Sequence, residues 1–304
     1  MSEITFIAGG ATAAQGFSAT GEHMGIRRNR TRRDVALIVS EVPANAACVY
    51  TQNLVKGAPI LVTQKHVENG IAQAVICNSG NANTCNANGI EIAEGMCSLV
   101  EQYIGVKAED VIVASTGVIG QPMTLEPFQK NFGKLADSLE DTPAGGTRAA
   151  EAIMTTDTCP KHGSVSFSGD GIGYPGVTFT VGGMCKGAGM IMPNMATMIA
   201  VITTDVPIAA PDLSQALTAA VNKSFNKVTV DSDTSTNDTC VVLANGLAGN
   251  PAITGPGEDY DIFFAALRHV CEYEAKMIAS DGEGAGRLIT CTVMGAETEE
   301  QAEQ

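Results

Sequence analysis

Basic residues are scarce in this chain. It carries 18 Lys and Arg against 33 Asp and Glu, a formal net charge of −15, which excludes nucleic acid and anionic membrane surfaces as natural partners. The one basic cluster, residues 27–33, reads as a solvated loop leading into the apolar run Val35-Ala36-Leu37-Ile38-Val39, with a phosphate groove as the other reading. No Cys-x-x-Cys pair occurs among the nine cysteines, an odd number spread along the chain, so neither a disulfide framework nor a zinc knuckle is indicated. The four histidines, His23, His66, His162 and His269, lack metal-ligand spacing, and no metal is expected. His269 falls on an expected helix and reads as structural. No apolar run is long enough to span a membrane, and the N-terminal residues lack a basic and apolar leader pattern. A cytoplasmic chain with reduced thiols is the simplest expectation.

Short β-branched runs at 34–42, 73–77 and 111–115, bounded by Gly, Pro or Asn, predict buried strands. Residues 90–104 predict a helix whose inner face is Ile92, Met96, Leu99, Val100 and Ile104. Residues 213–225 predict a second, with Asp212 as N-cap and Leu213, Leu217 and Val221 on one stripe. Residues 259–278 predict a third, with Ile262, Phe263, Leu267, Val270, Cys271 and Ile278 inward, and residues 296–304 begin a further helical pattern. Strands and helices that mix without strict alternation predict an α+β class, an α/β layered sandwich. The glycines at 117–120, 182–183 and 187–189 do not have dinucleotide-binding spacing.

The segment Lys186-Gly187-Ala188-Gly189-Met190-Ile191-Met192-Pro193-Asn194-Met195-Ala196-Thr197-Met198 places a threonine in a glycine-punctuated apolar run. A threonine hydroxyl attacks poorly without a base beside it, and cutting the chain so that its own amine becomes the base is one solution. Gly187 and Gly189 permit strained backbone of the kind an N-to-O acyl shift needs, although strand packing also explains such a threonine. Ser115-Thr116-Gly117-Val118-Ile119-Gly120 follows a strand-like run and reads either as an oxyanion hole or as an ordinary glycine turn. Residues 155–158 and 231–238 are dense in short polar side chains that suit turns, caps or ligand contacts. The second lacks the glycine and terminal glutamate of a calcium loop. Asn78-Ser79-Gly80-Asn81-Ala82-Asn83 reads as a polar turn satisfying nearby backbone. Asp281-Gly282-Glu283-Gly284 reads as a carboxylate suited to an ammonium group, or as a helix C-cap with a solvated Glu283.

Taken in order, these motifs resemble the glutamate N-acetyltransferase (ornithine acetyltransferase) family of arginine biosynthesis. They include Gly9-Gly10-Ala11-Thr12, Arg33-Asp34-Val35-Ala36-Leu37-Ile38, Ala152-Ile153-Met154-Thr155-Thr156-Asp157-Thr158, Ile202-Thr203-Thr204-Asp205 and Asp233-Thr234-Ser235-Thr236-Asn237-Asp238 as well as those above. The resemblance runs collinearly from Gly9 to Gly295. It implies an N-terminal-nucleophile-like fold and self-cleavage between Ala196 and Thr197, giving an α chain of residues 1–196 and a β chain of residues 197–304. Thr197 would then carry the acetyl group from N-acetylornithine to glutamate as an ester, with no metal or organic cofactor, and acetyl-CoA as a possible second donor. Thr116 and Gly117 align with the family's oxyanion hole, and Thr156, Lys186, Thr197 and Glu283 with its substrate contacts. A complex of two α and two β chains is implied.

Family members continue into a C-terminal segment whose Asn and Thr or Ser residues also touch substrate, and this sequence stops before it. Two other readings therefore accompany the acetyltransferase: a self-processing aminopeptidase or amidohydrolase of related fold, and an inactive fragment needing a separate C-terminal chain.

Overall fold

A computed structural model of the chain describes residues 3–29, 31–192 and 198–303. Its strands are β1 (Thr5–Phe6), β2 (Phe17–Glu22), β3 (Val35–Tyr50), β4 (Ile71–Asn81), β5 (Val111–Val118), β6 (Lys161–Ser168), β7 (Thr178–Lys186), β8 (Ile199–Thr204) and β9 (Thr239–Ala244). Its helices are α1 (Ala58–His66), α2 (Gly89–Ile104), α3 (Glu126–Asp137), α4 (Pro143–Ile153), α5 (Ala210–Lys223), α6 (Glu258–Ser280) and α7 (Glu299–Glu303). Hydrogen bonds order the strands β1-β6-β7-β8-β9-β3-β4-β5, with β2 alongside the first half of β3. The pairs β4–β5 and β8–β9 are parallel, each joined through a helix, and the others antiparallel.

The strands are apolar on both faces, and their period of two sorts side chains into different layers. On β8, Ala200 and Ile202 join a cluster with α5 and α6, whereas Ile199 and Val201 join a central cluster with α4. On β5, Ile112 and Ala114 face that central cluster, whereas Val111 and Val113 pack under α2 and α3. The result is helix, sheet, sheet, helix: the layered α+β sandwich expected from the sequence.

The strand expected at 34–42 extends to Tyr50, because its register against β4 shifts between Val39 and Ala44, a break that holds Pro43. A proline there costs no ladder bond, and beyond it Asn45–Tyr50 turns to pair with β9. The three expected helices form, with their inward residues buried except the half-buried Ile104. Asp212 is not an N-cap. The helix begins earlier, behind Ala209 with Pro211 in its first turn, and Asp212 Oδ2 instead accepts the Gly255 N–H at 3.0 Å. His269 is exposed, its ring 4.9 Å from that of Phe6.

Candidate active site

The parallel pair β4–β5 ends in an irregularity at Gly80 and Asn81, and the polar run around it closes on itself. Asn78 Nδ2 donates to Asn81 O at 2.9 Å, Asn81 Nδ2 to Gln121 O at 3.1 Å and Asn83 Nδ2 to Gly89 O at 2.8 Å, so these amides serve backbone. Across the irregularity sits Gly117, with φ +131°. A Cβ there would lie 2.4 Å from the carbonyl carbon of Gly80. Only glycine fits, and the strand end is thereby opened toward solvent just after the buried Thr116.

Lys186, the last residue of β7, reaches this point from the neighbouring layer. Its Nζ donates to Thr116 Oγ1 at 3.3 Å. An ammonium can only donate, so the Thr116 hydroxyl accepts from it and keeps its own proton for another acceptor. Lys186 is buried, which pulls its pKa down, while Asp157 and Asp238 act in the opposite sense. Burial works to raise Asp157, but Lys186 and Lys161 outweigh it and hold that carboxyl below its ordinary range.

Asp157 is the hub of a buried network. Its Oδ1 accepts the Gly187 N–H at 2.8 Å and Lys161 Nζ at 2.7 Å, and its Oδ2 accepts the Thr155 N–H at 2.8 Å. Lys161 Nζ also bonds Asp281 Oδ2 at 2.5 Å, and Asp281 accepts the hydroxyl and N–H of Thr158. Two residues past Asp281, the Glu283 N–H donates to Ala188 O at 2.7 Å, and its carboxylate lies over Gly189, where a Cβ would meet it at 2.4 Å. The Asp281-to-Gly284 motif is thus a helix C-cap and a presented carboxylate at once.

Thr116, Gly117, Thr156, Lys186 and Glu283 consequently line one cavity of about 500 Å³. Ala196 and Thr197 lie outside the described residues, but the chain on either side of them is held by two aspartates. Asp231 accepts the Met190 and Ile191 N–H groups at 2.5 and 2.9 Å, and Asp238 accepts the Met198 N–H at 3.0 Å. Met190 has φ +59°, a left-handed conformation that costs a methionine energy.

The sequence reading did not name Arg27 or Lys161 as contributors, and it marked Asp157 and Asn237 only as members of polar runs that suit turns, caps or ligand contacts. The 27–33 loop is solvated at Arg28, Asn29, Thr31 and Arg32, but Arg27 turns inward to the cavity wall. There it donates to Ser79 Oγ at 3.0 Å and to Met154 O, and burial with the nearby Arg32 lowers its pKa against Asp34 and Asp157. Asn237 Nδ2 donates to Ala82 O at 2.6 Å and Ser115 O at 2.9 Å, pinning the 231–238 loop to the end of β5. Composition and spacing did not single these residues out, and the contacts that tie Arg27 and Asn237 into the wall, and Lys161 to Asp281, join residues distant in sequence. Among the described residues no cluster of His, Cys, Asp or Glu is arranged to hold a metal ion, and no helix is long and apolar enough to cross a membrane.

The layered sheets have the architecture of N-terminal-nucleophile hydrolases. An aminopeptidase from Ochrobactrum anthropi described as a variant of that fold shares it at a TM-score of 0.54 over 91% of this chain and 88% of its own, at 15% identity, a likeness of fold alone. The ArgJ family model matches residues 18–304. An arginine biosynthesis bifunctional protein ArgJ from Symbiobacterium thermophilum is 48% identical over 295 residues, 96% of this chain and 72% of that protein. A solved ornithine acetyltransferase from Mycobacterium tuberculosis, in complex with ornithine, is 34% identical with a TM-score of 0.55 over 63% of this chain and 98% of that one. The chain belongs to the ArgJ family, the acyltransferases of arginine biosynthesis that its motifs resemble.

Proposed function

We propose that this chain moves an acetyl group from N-acetylornithine to glutamate through Thr197, after self-cleavage between Ala196 and Thr197 into an α chain (1–196) and a β chain (197–304). The observation that carries the reading is the convergence of Thr116, Gly117, Thr156, Lys186 and Glu283, distant in sequence, on one cavity. The Thr197 hydroxyl gives its proton to the new terminal amine while its oxygen bonds the acetyl carbon. The resulting oxyanion takes hydrogen bonds from the Thr116 hydroxyl and the Gly117 N–H. As the carbon–nitrogen bond breaks, the amine's proton passes to the departing ornithine nitrogen, leaving an acetyl ester. The amine of glutamate then attacks that ester and returns the hydroxyl to Thr197.

Lys186 suits an amino-acid carboxylate, Glu283 the ammonium of ornithine, and Thr156 a polar contact beside them. The reading includes acetyl-CoA as a second donor, an assembly of two α and two β chains, and a cytoplasmic setting.

Intact-mass spectrometry and transfer assays with labelled N-acetylornithine test this. Two fragments with a new N-terminus at Thr197, acetylglutamate formation, and loss of both in Thr197→Ala are expected. Acetate release to water without acetylglutamate would replace it with a hydrolase, and undiminished turnover by Thr197→Ala would remove Thr197 as nucleophile.

A further inference from the structure

The donor and the acceptor of the proposed transfer differ most at the ends of their side chains: ornithine carries an ammonium there and glutamate a carboxylate. Lys186 suits the carboxylate that both share and Glu283 suits the ammonium, which leaves the second carboxylate of glutamate without a partner. We propose that Arg27 binds that carboxylate and so selects glutamate as acceptor, an inference that rests on the transfer reading above.

The position of Arg27 is fixed from several sides. Asp34 holds its backbone, with Oδ2 accepting the Arg27 N–H at 2.9 Å and Oδ1 the Met24 N–H at 2.6 Å. Its side chain crosses Gly80 so closely that a Cβ there would lie 2.7 Å from Arg27 Cγ, and the glycine leaves that room. The guanidinium is then tied at two points, through Nε to Ser79 Oγ at 3.0 Å and through Nη2 to Met154 O. These bonds use two of its five N–H groups. Arg27 lines the same cavity as Lys186 and Glu283.

The charge of Arg27 has no dedicated counter-ion, since it forms no ion pair among the described residues. Asp34 and Asp157 act on it at longer range, and their oxygens are already engaged. Asp34 accepts the Met24, Gly25 and Arg27 amides, and Asp157 accepts Lys161 Nζ and the Gly187 and Thr155 amides. The like-charged Arg32 adds repulsion. A half-buried guanidinium in this state gains from an incoming carboxylate, which it can hold through two N–H groups at once.

The spacing matches glutamate. Ser79 on β4 and Thr116 on β5 are register partners in the parallel ladder, so their side chains leave one face of the sheet on strands about 4.8 Å apart. Arg27 is bonded to the first hydroxyl and Lys186 to the second. The two carboxylate carbons of glutamate are four bonds apart, at most about 5 Å. Two cations anchored one strand spacing apart therefore suit a molecule with a carboxylate at each end. Arg27 repels the ornithine ammonium, and Glu283 offsets that repulsion.

The test assays the full chain with N-acetylornithine as donor and two labelled acceptors: glutamate, read as acetylglutamate, and ornithine, read as exchange into N-acetylornithine. Arg27→Gln should raise the ratio of the glutamate KM to the ornithine KM about 10- to 100-fold, and Arg27→Lys should bring back part of it. An unchanged ratio in Arg27→Gln would overturn the proposal, since loss of cavity shape alone raises both KM values together. The wild type gives a test that needs no variant. Glutamine, with an amide in place of the side-chain carboxylate, should be acetylated at least about 10-fold less efficiently in kcat/KM. A wild type that transfers no acetyl group from N-acetylornithine to either labelled acceptor would overturn the transfer reading and this one with it. Transfer to glutamate and glutamine with equal efficiency would overturn this one alone.

Discussion

Gly117 and Glu274 show how single residues are fixed by what surrounds them. At Gly117, the φ of +131° and a Cβ position 2.4 Å from the Gly80 carbonyl carbon mean that Gly117→Ala forces the two strand ends apart. The expected cost is about 2–3 kcal/mol of stability and, with the proposed oxyanion donor displaced, a fall in kcat of about 100-fold; thermal melting and steady-state kinetics check the two. Glu274 sits fully buried on α6, where burial pushes its carboxyl well above the usual range against the weaker pull of Cys185 and Gly163. The folded protein therefore keeps this proton while the unfolded chain loses it above pH of about 4.3. The contribution is complete below that pH and declines as pH rises toward the folded value, by about 1.4 kcal/mol per pH unit. Glu274→Gln should flatten the fall of melting temperature between pH 5 and 8, and an unchanged slope would refute the assignment. Thr116, Gly117, Lys186 and Glu283 were legible as site candidates because their motifs are collinear with a family. Arg27, Asp157 and Asp238 were not, because their meaning lies in a cavity wall, a buried ion network and one amide held across the sheet.

Between elements, what matters is how helix ends and strand ends are tied. Lys161 at the start of β6 bonds Asp157, before the strand, and Asp281, at the end of α6. Lys161 is fully buried, so Lys161→Met leaves Asp281 without its cation and Asp157 with Lys186 alone, and should cost about 3–5 kcal/mol. Because Glu283 follows Asp281 by two residues and Gly187 hangs from Asp157, the variant should also raise the KM for N-acetylornithine, while Asp157 and Asp281 replaced together by Asn and Leu should recover part of the stability. A KM unchanged in the destabilised variant would separate the clamp from substrate binding.

Periodicity revealed α2, α5 and α6, which each bury one apolar face of large side chains. It did not reveal α4, whose Pro143-Ala144-Gly145-Gly146 start buries small residues: Gly146 packs so closely that a Cβ would lie 2.2 Å from Gly9 O. The glycines of β7 were hidden for the same reason, since a Cβ on Gly182 would meet Gly10 O at 2.0 Å. Close backbone packing leaves little hydrophobic pattern to read.

At the scale of the whole molecule, the proposed cut falls between β7 and β8, and the sheet order then interleaves the products. Strands β1, β6 and β7 of the α chain lie on one side, β8 and β9 of the β chain in the middle, and β3, β4 and β5 of the α chain on the other. Every residue from Val181 to Lys186 pairs with one from Ile199 to Thr204, and Asn45–Tyr50 pairs along β9. The β-chain strands are buried on both faces, in the cluster with α5 and α6 and in the cluster with α4. Removing the β chain would expose two ladders and both clusters at once, so the cleaved chains should behave as one cooperative unit. After cleavage they should co-elute in size-exclusion chromatography and resolve only on a denaturing gel, with a single unfolding transition in urea. Dissociation of the α chain below that transition would mean that the cut lies elsewhere in the sheet order, because no pair of peripheral fragments can be made by cleaving between β7 and β8.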